Sequence, residues 1–280
     1  MTAVSVRAMS KLALSCEGFR TIILGGKQMY TSPIECDDDS ISTIENITFP
    51  VAETFVSPQG EGLYNGTMML FVRLAGCSVG KPFTSDAERS AFRVYNNYQT
   101  MCTSWDGRKF ACDTNYNKSL SLSIKAITEL AQSSNVERVC LTGGEPLMHK
   151  DVARLVEHLL RSGIGVHVET SGTWPLQNLM SCAATTACRP WITVSPKFGM
   201  LTDQVVRFAD EVKLLVDSTL SEEDLDKMIN LFAGHVIIWV QPINFEKGVH
   251  EGNMNRCLEI MRRYPFARLS LQTHKVIGCR

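Results

Sequence analysis

No apolar run in this 280-residue chain reaches the roughly 20 residues needed to cross a bilayer. Candidates such as Val236 to Val240 are strand-sized, so no integral membrane protein is expected. An excess of charge of either sign is also missing: 28 Lys and Arg stand against 29 Asp and Glu, a net charge of -1. Nothing here draws the chain generally to nucleic-acid phosphates or anionic lipid, and any link to nucleic acid must be indirect. Cys-x-x-Cys does not occur, which argues against a zinc ribbon and a thioredoxin-like redox motif. No Gly-x-Gly-x-x-Gly follows a strand. Gly76-Cys77-Ser78-Val79-Gly80-Lys81 is one residue short of a phosphate-binding loop, and Pro82 stands where a Mg²⁺-binding hydroxyl belongs. Met1 to Cys16 has two basic residues and broken apolar stretches, not a secretory signal; its Arg and Ser and its lack of acids are a faint likeness to an organellar transit peptide. A cytoplasmic location is expected.

What is present is a chain of ordinary hydrophobicity, 44%, able to bury a sizeable core in one or two domains. Its ten cysteines are scattered through a chain much longer than the small domains that disulfides staple, so reduced thiols are expected. Residues 1–47 read as an N-terminal extension, irregular, with a Gly25-Gly26 break and an acidic run at Asp37 to Asp39 that reads as a solvated loop. Residues 48–280 read as the main domain. Met68 to Leu74 is its first clear buried strand, and Cys77 to Lys118 has no periodicity and reads as a long functional loop or insertion. Beyond Ser119, helical spacing at Ile124, Ile127, Leu130 and Ala131 precedes strands at Val136 to Leu141, Val166 to Val168, Trp191 to Val194, Val212 to Val216, Val236 to Val240 and Arg268 to Leu271. Helices are expected at Val152 to Leu160, Ser221 to Phe232 and Met254 to Arg262. This alternation predicts a parallel α/β fold.

Strand after strand runs into residues of chemical use: Thr142-Gly143-Gly144-Glu145-Pro146, Glu169-Thr170-Ser171-Gly172, Ser195-Pro196-Lys197, Gln241-Pro242 and Gln272-Thr273-His274-Lys275. Sites in parallel α/β folds assemble at the carboxyl ends of strands, so five such ends point to one composite site. Any one alone would be an ordinary wet loop. Thiolates hold iron-sulfur clusters, and three of them leave one iron open. Cys77 follows the first strand, but 24 residues separate it from Cys102 and nine separate Cys102 from Cys112, so spacing alone favours unligated thiols. The Gly143-Gly144 pair suits close backbone approach to a ligand, with Glu145 as acceptor for an ammonium group.

Together with Glu53-Thr54-Phe55, Ser57-Pro58-Gln59-Gly60-Glu61-Gly62, Phe71-Val72-Arg73-Leu74-Ala75-Gly76-Cys77 and Cys112-Asp113-Thr114, these motifs resemble the 7-carboxy-7-deazaguanine synthase family of radical S-adenosylmethionine (SAM) enzymes. The resemblance covers roughly residues 50 to 280. Gly-Gly-Glu-Pro is shared across radical SAM enzymes; the Gln-Gly-Glu-Gly, Ser-Pro-Lys and Gln-Thr-His-Lys elements narrow the likeness to this family. It implies a partial (β/α)6 barrel with an inserted cluster-binding loop. It also implies conversion of 6-carboxytetrahydropterin to 7-carboxy-7-deazaguanine and ammonia, in queuosine or other deazaguanine synthesis. By the same resemblance Cys77, Cys102 and Cys112 would hold a [4Fe-4S] cluster and Thr114 would help bind Mg²⁺. Phe110, Asp113, Gly144, Glu145, Ser171, Ser195, Lys197 and Gln241 would bind SAM, with Phe110 or Trp105 stacking on adenine. Gln59, Gly60, Glu61, Arg73, Thr142, Gly143, His274 and the terminal carboxylate of Arg280 would bind the pterin. The implied partners are the small-molecule substrate, an external electron donor such as flavodoxin, and a second copy in a homodimer.

The family's cysteines are usually closer together, and Lys109 occupies the position expected of a cysteine three before Cys112. Either an insertion loops out and Cys102 returns to the cluster, or the third ligand is lost. The rival readings are a glycyl-radical activase on the same scaffold and a degenerate homologue without the cluster that binds or regulates. Taken singly, Glu145 reads equally as a turn cap, Arg73 as an ion-pair member and His274 as a satisfied buried histidine. The other cysteines read as small hydrophobes or idle thiols, and the other histidines have no metal-ligand spacing.

Overall fold

The computed structural model describes residues 22–24, 27–29, 38–85, 87, 100–112, 114–117, 119–176, 179–181, 188–197, 201–244 and 249–279. The chain divides into two compact units, Met1–Thr43 and Ile44–Arg280. In the first, β1 (Ile22–Leu24) and β2 (Lys27–Met29) form an antiparallel pair. Of the acidic run expected as loop, Asp38 and Asp39 instead open helix α1 (Asp38–Glu45), and Asp37 lies outside the described residues.

The second unit is built on one nine-stranded sheet. Seven strands lie parallel and in sequence order: β4 (Met68–Leu74), β9 (Arg138–Gly143), β10 (Gly165–Thr170), β11 (Trp191–Val194), β12 (Glu211–Val216), β13 (Ile237–Pro242) and the short β14 (Arg268–Leu269). Beyond β4 the sheet turns antiparallel with β3 (Thr48–Pro58) and β8 (Leu120–Ser123). The order is linear, so the barrel is partial, with edges at β8 and β14. One face of the parallel strands is apolar and covered. Val72, Leu141, Val168, Val194, Val212 and Val240 join one large core. The alternate positions Arg73, Thr142, Glu169 and Lys213 line a cavity on the other face.

Helices close the core side. In α2 (Ile124–Ser133) Ser123 caps the first turn by accepting from Ala126 N at 3.1 Å, and Ile124, Ile127 and Ala131 turn inward. In α3 (Val152–Arg161) Leu155, Val156 and Leu159 do the same. Ser221 caps α5 (Glu222–Phe232), whose first turn is acidic as the helix dipole favours; α4 is Asp203–Phe208, α6 is Glu251–Arg263 and α7 is Thr273–Ile277. No helix among the described residues is long and apolar enough to cross a membrane.

The segment expected as a long functional loop or insertion contains a small sheet. β5 (Lys81–Pro82), β6 (Thr100–Thr103) and β7 (Lys109–Ala111) pair antiparallel, and a bridge between Ser104 and Lys197 ties this sheet to the end of β11. It was illegible locally because its strands are two to four residues long.

Candidate active site

A cavity of about 870 Å³ lies where the parallel strands end. Gln59, Gly60, Glu61, Arg73, Cys77, Cys102, Phe110, Cys112, Thr114, Thr142, Gly143, Gly144, Ser171, Ser195, Lys197, Gln241 and His274 all line it. Asp113 and Arg280 fall outside the described residues.

One wall carries thiols. Cys77 follows β4 directly, and its Sγ accepts from the backbone N–H groups of Val79 at 3.4 Å and Gly80 at 3.2 Å. The β6–β7 hairpin sets Cys102 opposite Phe110, two residues before Cys112. The nine residues between Cys102 and Cys112 are thus taken up by a hairpin. Tyr116 lies among the three thiols, its hydroxyl pushed up to about 12 by burial and by Cys77, Cys112 and Cys102. In an iron-sulfur cube each thiolate binds its own iron, so donors spread along a wall rather than meet at a point. No group of three or more His, Cys, Asp or Glu side chains among the described residues is placed to hold a single metal ion. The donor set fits a cluster. Of the two aromatics considered for adenine, Phe110 lines the cavity while Trp105 is buried in the core.

The glycine pair and Glu145 serve the chain differently from what their sequence suggests. A Cβ on Gly143, whose φ is +145°, would meet Leu74 O at 2.1 Å, and one on Gly144 would meet Gly76 O at 1.9 Å. The close approach they permit is thus to the chain's own Leu74–Cys77 segment, which fixes the start of the thiol wall. Glu145 is 0% exposed and does not line the cavity. Its carboxylate accepts from Leu147 N at 3.0 Å, Thr170 Oγ1 at 2.7 Å, Ser171 N at 2.8 Å and Ser171 Oγ. Four internal donors meet its side chain, which caps the turn after β9 and joins the ends of β9 and β10. Lys197 Nζ bonds Ser195 O at 2.9 Å and Ser195 Oγ at 2.6 Å, 6.0 Å from the centre of the Phe110 ring.

The cavity lining also carries ionic groups. Arg73 Nε donates to Glu53 Oε1 at 2.9 Å, which leaves the terminal guanidinium nitrogens as the edge able to fork onto a carboxylate. The Gln59–Gly66 loop lies against the carboxyl end of the chain: Thr273 N donates to Gly60 O at 3.0 Å, and a Cβ on Gly60 would meet His274 Nδ1 at 2.1 Å. Lys213 bonds both Glu61 and Glu169. Burial works to raise the Glu169 carboxyl, but Lys213, His167 and the Gln59 hydrogen bond together outweigh it and hold the group at about 2. Burial likewise opposes the charge on Lys213, and Glu169 and Glu61 overcome it, leaving the ammonium above its ordinary range.

Sequence reasoning assigned no role to Glu53, Glu169, Lys213 or Gln272, which also line the cavity. Glu169 and Lys213 carried a usable signal. Each is a charged residue inside a largely apolar strand, Glu169 in β10 and Lys213 in β12.

No protein-family model matches the chain. It is 30% identical over 245 residues to the 7-carboxy-7-deazaguanine synthase of Synechocystis, covering 86% of this chain and 98% of that protein. To the 7-carboxy-7-deazaguanine synthase of Escherichia coli K12 it is 28% identical over 240 residues, covering 82% of this chain and 98% of the other. The crystal structure of QueE from Escherichia coli matches the fold with a TM-score of 0.58 at 24% identity, covering 84% of this chain and 99% of that one.

Proposed function

The chain belongs to the 7-carboxy-7-deazaguanine synthase family, and from that membership and the cavity we infer that it is a radical SAM lyase converting 6-carboxytetrahydropterin to 7-carboxy-7-deazaguanine and ammonia. The observation that carries this reading is a single cavity lined by three thiols and by Arg73, Glu61 and His274, the size of a small-molecule site.

Cys77, Cys102 and Cys112 would hold a [4Fe-4S] cluster. With SAM bound to its open iron, the cluster supplies a 5'-deoxyadenosyl radical. Phe110, the backbone at Gly144 and Glu145, Ser171, Ser195, Lys197 and Gln241 would seat SAM between the thiols and the strand ends, with Asp113 beside Cys112. Thr114 would contribute to a Mg²⁺ site. The terminal edge of Arg73 is suited to the pterin carboxylate. Gln59, Gly60, Glu61, Thr142, Gly143 and His274 would surround the ring, and the terminal carboxylate of Arg280 would complete the pocket. Burial of these groups excludes water and strengthens each of these contacts. We assign residues 48–280 to the catalytic domain and 1–47 to an extension, and propose a homodimer that takes electrons from an external donor.

The test is anaerobic reconstitution with iron and sulfide, reduction, and assay of SAM plus 6-carboxytetrahydropterin for 5'-deoxyadenosine and 7-carboxy-7-deazaguanine, with Cys102→Ala alongside. Both products are expected from the unaltered protein and neither from the variant. A protein that takes up no cluster and makes no product refutes the reading.

A further inference from the structure

The turn of the β6–β7 hairpin is fixed to the barrel at three points. Ser104 bridges Lys197 beyond the end of β11, and the Trp105 side chain packs into the main core. Arg108 makes the third. Its Nε pairs with Asp106 in the same turn, its Nη1 lies in ion-pair contact with Asp217 just past β12, and its Nη2 donates to Leu215 O at 3.3 Å. The side chains of Arg108, Asp217 and Asp106 are 18%, 20% and 2% exposed. Burial works to raise the Asp217 carboxyl, but the Thr219 hydroxyl and amide and the Arg108 guanidinium outweigh it and hold the group below its ordinary value. The turn is also closed on itself. Ser104 N donates to Arg108 O at 2.7 Å, Gly107 N to Ser104 O at 3.0 Å and Arg108 N to Asp106 Oδ1 at 3.3 Å. Gly107 takes a φ of +88°, which favours glycine.

Exposed single ion pairs contribute little, because water screens them and two long side chains must be ordered. Here one planar guanidinium serves three acceptors on two elements of the fold, an arrangement that suits arginine and that lysine cannot reproduce. The hairpin it fixes carries Cys102 on β6, and Cys112 follows β7 directly, with Cys112 N donating to Thr100 O at 2.9 Å. Every anchor is a contact within the chain. Resting on the cluster reading above, we propose that Arg108 is a positioning residue that docks the β6–β7 turn to the end of β12 and so holds Cys102 and Cys112 in place to receive an iron-sulfur cluster. Ordering two ligands in advance removes the entropy cost of ordering them on binding, so loss of the clamp should show in how firmly the cluster is held.

The experiment reconstitutes the unaltered protein, Arg108→Met, Asp217→Asn and the double variant anaerobically. Cluster loss to an iron chelator is followed by visible absorption, and circular dichroism checks that the fold is kept. Methionine keeps an apolar stem and removes the fork. Arg108→Met should lose its cluster at least about tenfold faster than the unaltered protein, because its carboxylate partners are left uncompensated. Asp217→Asn should move the same way, and the double variant should be no faster than Arg108→Met, since both act through one contact. Amide hydrogen exchange on the unaltered protein before iron is added gives a reading that needs no variant. The Ser104, Gly107 and Cys112 amides should exchange at least about tenfold more slowly than in an unstructured peptide. Arg108→Met should release them while the amides of β9 and β10 stay protected, a local effect that a general loss of stability would not give. Equal cluster loss from Arg108→Met and the unaltered protein overturns this inference and leaves the cluster reading standing, as does exchange of these amides at the unstructured rate in the unaltered protein. An unaltered protein that takes up no cluster overturns the cluster reading and this role of Arg108 with it.

Discussion

Replacing Glu145 by Gln separates a structural cap from a ligand-binding group. The carboxylate accepts four hydrogen bonds within the chain. Glutamine keeps one oxygen, which can still serve Thr170 Oγ1 and Leu147 N. It turns an NH₂ toward Ser171, where the hydroxyl can rotate to accept or bond Thr173 Oγ1, 2.8 Å away, but the Ser171 N–H cannot. One buried amide donor is left facing another donor, which costs about 1–3 kcal/mol. For a chain of this length that corresponds to a loss of roughly 2–10 °C in melting temperature. Glu145→Ala strands the amides of both Leu147 and Ser171 and should cost about 2–6 kcal/mol. Thermal unfolding followed by circular dichroism reads the stability, and equilibrium binding of SAM to the reconstituted protein reads the site. Glu145→Gln should melt earlier yet bind SAM within a few-fold of the unaltered protein, because no side-chain contact to SAM is lost. Unchanged melting with binding weakened by an order of magnitude would refute this account and return the carboxylate to the ligand.

Gly144→Ala should abolish cluster uptake, read as bound iron and sulfide, since its Cβ would stand 1.9 Å from Gly76 O and 2.5 Å from Cys77 Cβ and drive the first thiol out of place. Acid unfolding should show Glu169 directly. Its carboxyl lies at about 2 in the fold against 4.5 ordinarily, so its contribution is full above the ordinary value and is lost as pH falls from there toward 2. Unfolding curves of Glu169→Gln should be flatter through that window; an identical acid limb would contradict the Lys213 pairing. Leu155→Ala in α3, fully buried against the sheet, should cost about 2–5 kcal/mol while iron content per folded protein stays unchanged.

The parallel part of the fold was legible because each strand is a short apolar run and each outer helix repeats at 3.6 residues. Trp191 to Val194 matches β11 at both ends, and Val152 to Leu160 differs from α3 by one residue. β3 was not read as a strand. Its Thr48–Pro58 stretch carries Glu53 and two prolines, and antiparallel pairing with β4 on one side and β8 on the other makes it regular. The last parallel strand, expected over Arg268 to Leu271, has only two residues, Arg268 and Leu269, in the ladder.

The amino-acid sequence by itself determined the α/β class, the order of the strands and which residues stand at their carboxyl ends, because these depend on local periodicity and on short motifs a few residues long. Tertiary structure alone decided what those residues touch. It folded Cys102 back beside Cys112, set Glu145 under Thr170 and Ser171, and brought Lys213 to Glu61 across 152 positions of chain. Such contacts depend on how strands are ordered and twisted in space, and the charge state of a buried carboxylate depends on its neighbours there, which no local pattern records.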